Sequence, residues 1–166
     1  VTGVQTCALP ILTPVAANWA TPGADDSAWP AGAARFGWGL DGERTLLTEG
    51  RVTHYFRRWF TLTNPAVLSD LIFDLQRDDG AVVYVNGLEV FRSNMPAGPV
   101  TAATLASSSV NTPDETTFYR TITSVPGMAL SAGTNLIAVE LHQGSATSSD
   151  AGFDLQLAAK IGRAHV

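Results

Sequence analysis

Adjacent carboxylates at Asp78 and Asp79, followed by Gly80, are the residues whose spacing most invites a catalytic interpretation. Hydrolysis of a glycosidic bond needs two carboxyl groups about 5 to 9.5 Å apart that flank the bond. Neighbouring residues in a turn do not face one cleft in this way. A turn role therefore fits Asp78-Asp79-Gly80 better, since aspartate side chains accept hydrogen bonds from the local backbone and glycine accepts a positive φ.

Other catalytic arrangements are missing from the sequence. There is no Gly-x-Ser-x-Gly motif, and the candidate bases are His54 and His142. No Cys and His spacing suits zinc, and no glycine motif suits a phosphate. For His142, a structural hydrogen bond beside Glu140 is favoured over a ligand contact. The sequence therefore predicts a domain that does not catalyse a reaction.

Calcium is the one metal that the carboxylates suggest, because oxygen ligands on the loops of a β-sandwich suit this ion. Asp25 and Asp26 lie near the beginning of the chain, and Asp150 and Asp154 lie near its end. First and last strands commonly meet in a jelly roll, which would bring the four together. The sequence favours a solvated or capping role for them, and a structural calcium site is the alternative.

A tight hairpin is the clearest element in the sequence. Asn86-Gly87 is typical of a type I′ turn, which needs a positive φ at both central residues. The flanking segments Ala81–Val85 and Leu88–Arg92 are rich in β-branched and aromatic residues. These features predict an antiparallel β protein.

The stretch from Arg77 to Arg92, with its continuation Ser93–Gly98, resembles the galactose-binding-domain-like jelly rolls. Further pieces occur in the order that such modules show: Asp25–Trp29, Phe36–Gly39, Tyr55–Arg58, Gly133–Asn135 before Leu136–His142, and Ser148–Asp150 before Phe153–Leu155. The resemblance covers roughly residues 18–158. It implies an all-β fold, an antiparallel jelly-roll β-sandwich.

Modules of this family occur as non-catalytic domains of secreted bacterial proteins and as sugar-binding domains of family 2 glycoside hydrolases. The resemblance therefore implies a secreted or cell-surface bacterial accessory module that binds a polysaccharide or glycan. The alternative is a structural module that packs against a neighbouring phosphoesterase or hydrolase domain. The candidate ligand-binding residues are Trp38, Arg58, Asp79, Tyr84, Asn94 and His142.

Trp38 is central to the carbohydrate hypothesis because it stands between Gly37 and Gly39. A tryptophan on such a backbone either packs in the core or stands on a rim as a platform for the apolar face of a sugar. Trp19 and Trp29 are expected in the core. The interrupted segment Ser93–Pro113 is a candidate ligand-side loop.

Alternation predicts the remaining elements. The expected strands are Thr53–Leu62, Ser69–Arg77, Thr116–Thr123, Leu136–His142 and a last strand over Phe153–Leu157. Their core-facing residues are Leu71, Phe73, Leu75, Ile137, Val139, Leu141, Phe153, Leu155 and Leu157. Single helical turns are expected at Asp25–Trp29 and Pro126–Leu130. Arg57 or Arg58 is expected to pair with a carboxylate in a structural role.

Both ends of the chain resemble translated sequencing adapter. DNA that encodes Ile161–Val166 can be the reverse complement of part of the DNA that encodes Val1–Ile11. The alternative for the first segment is a signal-peptide core at Ala8–Ala17, which lacks a basic start and holds two prolines. We therefore expect one module at residues 12–160, a fragment of a larger protein, with residues 1–11 and 161–166 outside it.

Charge and cysteine content exclude several classes of function. The single cysteine, Cys7, lies in the first of these segments, so the module has no disulfide framework. Without Arg163, nine basic residues remain against fifteen acidic ones, which argues against nucleic acid or an anionic membrane as partner. No apolar run approaches the roughly 18 residues of a membrane helix. The composition fits one monomeric domain.

Overall fold

A computed structural model describes residues 15–39, 42–125 and 130–162 and the backbone of residues 5–9. The strands are, in chain order, β1 (Gln5–Leu9), β2 (Ala31–Ala33), β3 (Phe36–Trp38), β4 (Thr45–Leu46), β5 (Thr53–Leu62), β6 (Leu68–Asp78), β7 (Gly80–Val85), β8 (Leu88–Ser93), β9 (Tyr119–Ser124), β10 (Gly133–His142) and β11 (Ala151–Ile161). Short 3-10 helices lie at Pro65–Val67 and Asp114–Thr116. No helix within these described ranges has the length and apolarity to cross a membrane.

The strands form two sheets. The six-stranded sheet has the order β2-β1-β5-β10-β7-β8, and the five-stranded sheet has the order β4-β3-β11-β6-β9. The pairings among these strands are antiparallel except that between β3 and β4. The predicted all-β sandwich is confirmed.

The core lies between the two sheets, and strand alternation fills it as predicted. Leu71, Phe73 and Leu75 of β6 are at most 1% exposed. Phe56 of β5 stacks on Phe153 of β11 with ring centroids 4.1 Å apart, which joins the sheets at their centre. Each such aromatic side chain removes about 150 to 250 Å² from water, so this contact contributes strongly to holding the sheets together.

The predicted hairpin is confirmed at Asn86-Gly87, where the φ angles are 50° and 88°. The Asn86 side chain accepts a hydrogen bond from the backbone N–H of Leu136 at 2.8 Å and donates one to Asn135 at 2.9 Å. The turn is therefore attached to the neighbouring strand β10. A Cβ added at Gly87 would lie 2.9 Å from Cγ2 of Thr21, so sterics also favour glycine.

Asp78-Asp79-Gly80 does not form the turn with a positive φ at glycine that the sequence suggested. The strand β6 ends at Asp78 in the five-stranded sheet, and β7 begins at Gly80 in the six-stranded sheet. Asp79 is the single residue between β6 and β7, so the chain crosses from one sheet to the other at this point. Gly80 does not adopt a positive φ. A larger residue is disfavoured at this position because a Cβ there would lie 2.7 Å from the carbonyl oxygen of Asn94.

The outer face of the six-stranded sheet is covered by the segment 15–29. Its residues Trp19 and Ala20 pack against Leu136, Ala138 and Tyr84. Instead of the expected helical turn at Asp25–Trp29, the chain makes a turn with a 2.9 Å hydrogen bond from the Trp29 N–H to the Asp26 carbonyl.

The two chain ends and the helical turn expected after β9 lie at the limits of the described residues. Gln5–Leu9, inside the segment interpreted as adapter, lies between β2 and β5 as a strand. The strand β11 extends to Ile161. The helical turn expected at Pro126–Leu130 falls almost entirely outside the described residues.

Candidate functional site

Trp38 is not a rim platform. It is 4% exposed and packs against His54, with ring centroids 5.4 Å apart. The flanking glycines, Gly37 and Gly39, allow close packing of the backbone and do not provide mobility. A Cβ at Gly37 would collide with the Ala151 carbonyl oxygen, and one at Gly39 would lie 2.5 Å from that of Ser149. The glycines thus let the chain around β11 approach closely, and Trp38 belongs to the core.

Tyr84 and His142 belong to a buried polar network around Glu140. The Tyr84 hydroxyl donates to Oε1 of Glu140 at 2.5 Å, and burial raises the pKa of Tyr84. Nδ1 of His142 lies 2.8 Å from the carbonyl oxygen of Thr104 and 2.9 Å from Oγ1 of Thr53. His142 is fully buried. Nδ1 of His142 is thus occupied by partners within the fold.

Asp79 and Asn94 meet, and together they attach the long loop to the sandwich. The Asp79 carboxylate accepts hydrogen bonds from the backbone N–H groups of Val110 at 2.5 Å and Gly144 at 2.6 Å. Nδ2 of Asn94 donates to the carbonyl oxygens of Asp79 at 3.1 Å and Ser108 at 2.7 Å. Their polar atoms are thus committed to the fold. The loop Ser93–Pro113 is fixed at its start and near its end.

Arg57 and Arg58 point to opposite faces of β5, and Arg57 forms the predicted structural ion pair. Its Nε lies 2.9 Å from Oδ2 of Asp26, and it is 1% exposed. Its guanidinium also donates to the carbonyl oxygens of Trp19, Thr21 and Ala24. Arg58 is half-buried, and burial lowers its pKa.

The four aspartates considered for calcium do not form one site. Asp26 is paired with Arg57, and Asp25 accepts a hydrogen bond from the Ser27 N–H at 2.9 Å, which lowers the pKa of Asp25. Asp154 is a β11 residue whose pKa is raised by burial and lowered in part by Arg35. Asp25 thus accepts a hydrogen bond within its own turn, whereas Asp26 is engaged by Arg57.

Asp150 instead meets two carboxylates that the sequence did not connect with it. Asp78, Glu115 and Asp150 each offer a carboxylate oxygen, and these oxygens all lie within 4.8 Å of one another. We call these three residues the acidic corner. Burial, followed by the charge of Asp79 and then those of Asp150 and Glu115, raises the pKa of Asp78 well above its usual range. The acidic corner is the group of described residues with the geometry to hold a cation.

An exposed aromatic surface lies on the outer face of the six-stranded sheet, beside the buried Arg57. Trp59 is 41% exposed, and its ring centroid lies 5.8 Å from the guanidinium carbon of Arg57. The same carbon lies 5.7 Å from the ring of the half-buried Trp29. Cation–π attraction to a fixed guanidinium favours one orientation of each indole ring. We call Trp29, Arg57 and Trp59 the tryptophan face.

Comparisons with known proteins bear on the fold. No family model and no curated protein matches the sequence. Among solved structures, β-glucuronidase 2 of Bacteroides uniformis aligns with a TM-score of 0.59 and 18% identity, over 93% of this chain and 17% of that one. A family 2 glycosyl hydrolase of Bacteroides cellulosilyticus aligns with a TM-score of 0.55 and 11% identity, over 93% and 20% of the two chains.

A third similar structure is the β-glucuronidase of Bifidobacterium dentium, with a TM-score of 0.51 and 15% identity, over 84% of this chain and 19% of that one. The chain thus spans a fifth or less of the length of these enzymes. At these identities the likeness shows a shared fold. The β-sandwich expected from the resemblance to family 2 glycoside hydrolase modules is confirmed at that level.

Sequence reasoning missed both Trp59 and Glu115. Alternation along β5 did place Trp59 opposite the core residues Phe56 and Phe60, but it did not show that this position is exposed. Glu115 is far from Asp78 and Asp150 in sequence, so no local pattern connects them. Only the packing of the loop against the sheets brings the three together.

Proposed function

We propose that this chain is a non-catalytic accessory module of a larger secreted glycoside hydrolase or related protein, and that it binds carbohydrate at the tryptophan face. The observation that carries the proposal is the exposed indole of Trp59 on a central strand of the six-stranded sheet. An aromatic ring on a rigid strand suits the apolar face of a pyranose. The module's acidic charge disfavours anionic partners and leaves neutral glycans as the suitable class.

Preorganisation supports the choice of Trp59. Arg57 is held by Asp26 and by backbone carbonyls of the segment 15–29, so it presents an immobile guanidinium to the ring. A side chain that is already ordered loses less entropy when a ligand binds. Affinity is expected to be weak, because sugar hydroxyls exchange water hydrogen bonds for protein ones at little net gain.

The arrangement of carboxylates supports a non-catalytic role. Glycosidases place their two carboxyl groups about 5 to 9.5 Å apart on either side of an open cleft. The oxygens of the acidic corner lie closer than this, within 4.8 Å, and Asp78 and Glu115 are buried. The neighbouring Asp79 is occupied by two backbone N–H groups. These groups are poorly placed to act on a glycosidic bond.

Affinity electrophoresis of the full chain in gels that contain plant, algal or bacterial polysaccharides tests the proposal. We expect the wild type to be retarded by at least one glycan without cleaving it. Trp59→Ala should abolish the retardation. Phe118→Ala is the matched control, because Phe118 is a similarly exposed aromatic residue, at 40%, that immediately precedes β9 of the other sheet. It should bind as the wild type does, and both variants should melt close to it.

Docking against a neighbouring domain of the same polypeptide is the second candidate. Ile122 of β9 is 60% exposed, and Phe118, immediately before β9, is 40% exposed. Phe118 lines a shallow depression together with Asp74, Arg120 and Gln156. Exposed apolar groups on one face favour a protein interface. If no glycan retards the wild type, the carbohydrate proposal should be dropped in favour of docking.

A further inference from the structure

The acidic corner is assembled from three separate parts of the chain. Asp78 is the last residue of β6, Glu115 lies in the 3-10 helix that follows the long loop, and Asp150 immediately precedes β11. Asp78 is 1% exposed, Glu115 is 6% exposed and Asp150 is half-buried. Three carboxylates are thus gathered in a place with little access to water. Such a cluster needs compensation by protons or by a cation.

The ion pairs of Asp26, Asp70, Asp74, Glu89 and Glu140 in the described part of the chain use carboxylates outside the acidic corner. Arg35 lies over Gly152, the register partner of Asp78, and its charge partly offsets the rise that burial causes in the pKa of Asp154.

Asp78 of the acidic corner and its neighbour Asp79 differ in hydrogen bonding, and the difference points to a ligand. Both oxygens of Asp79 accept from backbone N–H groups. Oδ2 of Asp78 is buried without a hydrogen-bond partner. A buried carboxylate oxygen normally has a partner, so an unpaired one inside a cluster of carboxylates indicates a missing positive group. Glu115 has one oxygen engaged by the Thr112 hydroxyl.

We propose that Asp78, Glu115 and Asp150 bind a calcium ion. Calcium takes oxygen ligands at about 2.3 to 2.6 Å, so two ligands on opposite sides of the ion lie about 4.6 to 5.2 Å apart. The separations in the acidic corner, all within 4.8 Å, fit around one such ion. The corner contains only oxygen donors, whereas zinc prefers nitrogen and sulfur.

The ion has a structural consequence. It joins the end of β6, the segment after the loop Ser93–Pro113, and the start of β11. Asp79 attaches the same loop to the sheet by accepting a hydrogen bond from the Val110 N–H. The ion and Asp79 therefore both hold this loop against the sandwich. The proposal concerns a different surface from the tryptophan face. Calcium binding and sugar binding can therefore fail independently.

The test uses the full chain after treatment with a chelator. Titration calorimetry with calcium chloride should give one site per chain, and calcium should raise the melting temperature because an ion bound only by the folded state stabilises it. Asp150→Asn, which changes a half-buried residue, should weaken calcium binding by more than about tenfold, since loss of even an outer-shell partner of a ligand costs about 10- to 100-fold in metal affinity. Asp154→Asn is the matched control in the adjoining strand and should bind like the wild type.

Several outcomes would overturn the proposal. One is a wild type whose melting temperature and titration heats do not respond to millimolar calcium. Another is equal loss of binding in Asp150→Asn and Asp154→Asn. An equal response to magnesium would overturn the assignment to calcium. Glu115→Gln provides a second ligand variant if Asp150→Asn does not fold, and it should lose the calcium response in the same way.

Discussion

Arg57→Met is expected to destabilise the sandwich and to release the segment 15–29 from the six-stranded sheet. The arginine is 1% exposed and donates to one carboxylate and three backbone carbonyls of that segment. Methionine keeps most of the side-chain volume but donates no hydrogen bond. The substitution therefore removes four polar contacts while it leaves the packing largely intact.

The magnitude follows from those contacts. Each lost hydrogen bond costs about 1 kcal/mol, which places the sum near 4 kcal/mol. The Asp26 side chain is 24% exposed, so water can partly solvate it after the change. We expect a loss of about 3 to 5 kcal/mol, the usual range for breaking one side of a buried ion pair. For a domain of this size, that loss lowers Tm by roughly 6 to 20 °C.

Urea unfolding and thermal melts of Arg57→Met measure this loss, with Arg120→Met as control. Arg120 also pairs with an aspartate, Asp74, but its side chain is 63% exposed, so water replaces the lost contact and the variant should unfold almost as the wild type does. If Arg57→Met is no more destabilising than Arg120→Met, the segment 15–29 does not depend on this arginine. In that case the argument for an immobile guanidinium beside Trp59 also fails.

Three further changes test the fold. Gly87→Val should cost at least about 1 kcal/mol in urea unfolding, because φ is +88° and Thr21 lies against the new Cβ; a neutral result would contradict this turn. Burial lowers the pKa of His54 to about 4 from 6.5, so the unfolded chain binds its proton first as pH falls. The stability from neutral His54 is complete above about pH 6.5 and is lost toward pH 4, by about 3 kcal/mol. The free energies of unfolding of the wild type and of His54→Gln should therefore differ less at pH 4 than at pH 7. A difference that does not change with pH would argue against a lowered pKa of His54. Deletion of residues 1–11 and 161–166 should leave Tm unchanged if both are adapter, whereas a loss of several degrees would show that they stabilise the fold.

Local signals predicted the fold well where a short stretch determines its own structure. Thr53–Leu62 forms a strand with the predicted bounds, and Asn86-Gly87 forms the predicted turn. The same local rules misassigned Asp78-Asp79-Gly80, because turn chemistry is similar whether a chain returns within one sheet or crosses to another. The direction of that crossing depends on which strand pairs with β7, and no nearby residue encodes it.

The candidate site was less predictable because its residues are defined by packing. Glycines beside Trp38 are compatible with an exposed loop and with close contact between strands. The contacts of Gly37 and Gly39 with the chain around β11 decide between these, and they are long-range. Trp59 shows the converse case, since a tryptophan in the middle of a central strand is usually buried. It is exposed here because the segment 15–29 covers only part of that face.

The position of β11 between β3 and β6 has a consequence for the order of folding. Phe36 pairs with Phe153, so residues from opposite ends of the described chain are neighbours in the five-stranded sheet. Such distant pairing is slow, because a large loop must close before the contact contributes stability. During synthesis, β3 and β6 have no partner between them until the last strand leaves the ribosome. Any protein that contains this module therefore carries an unpaired edge on both β3 and β6 until β11 has been synthesised.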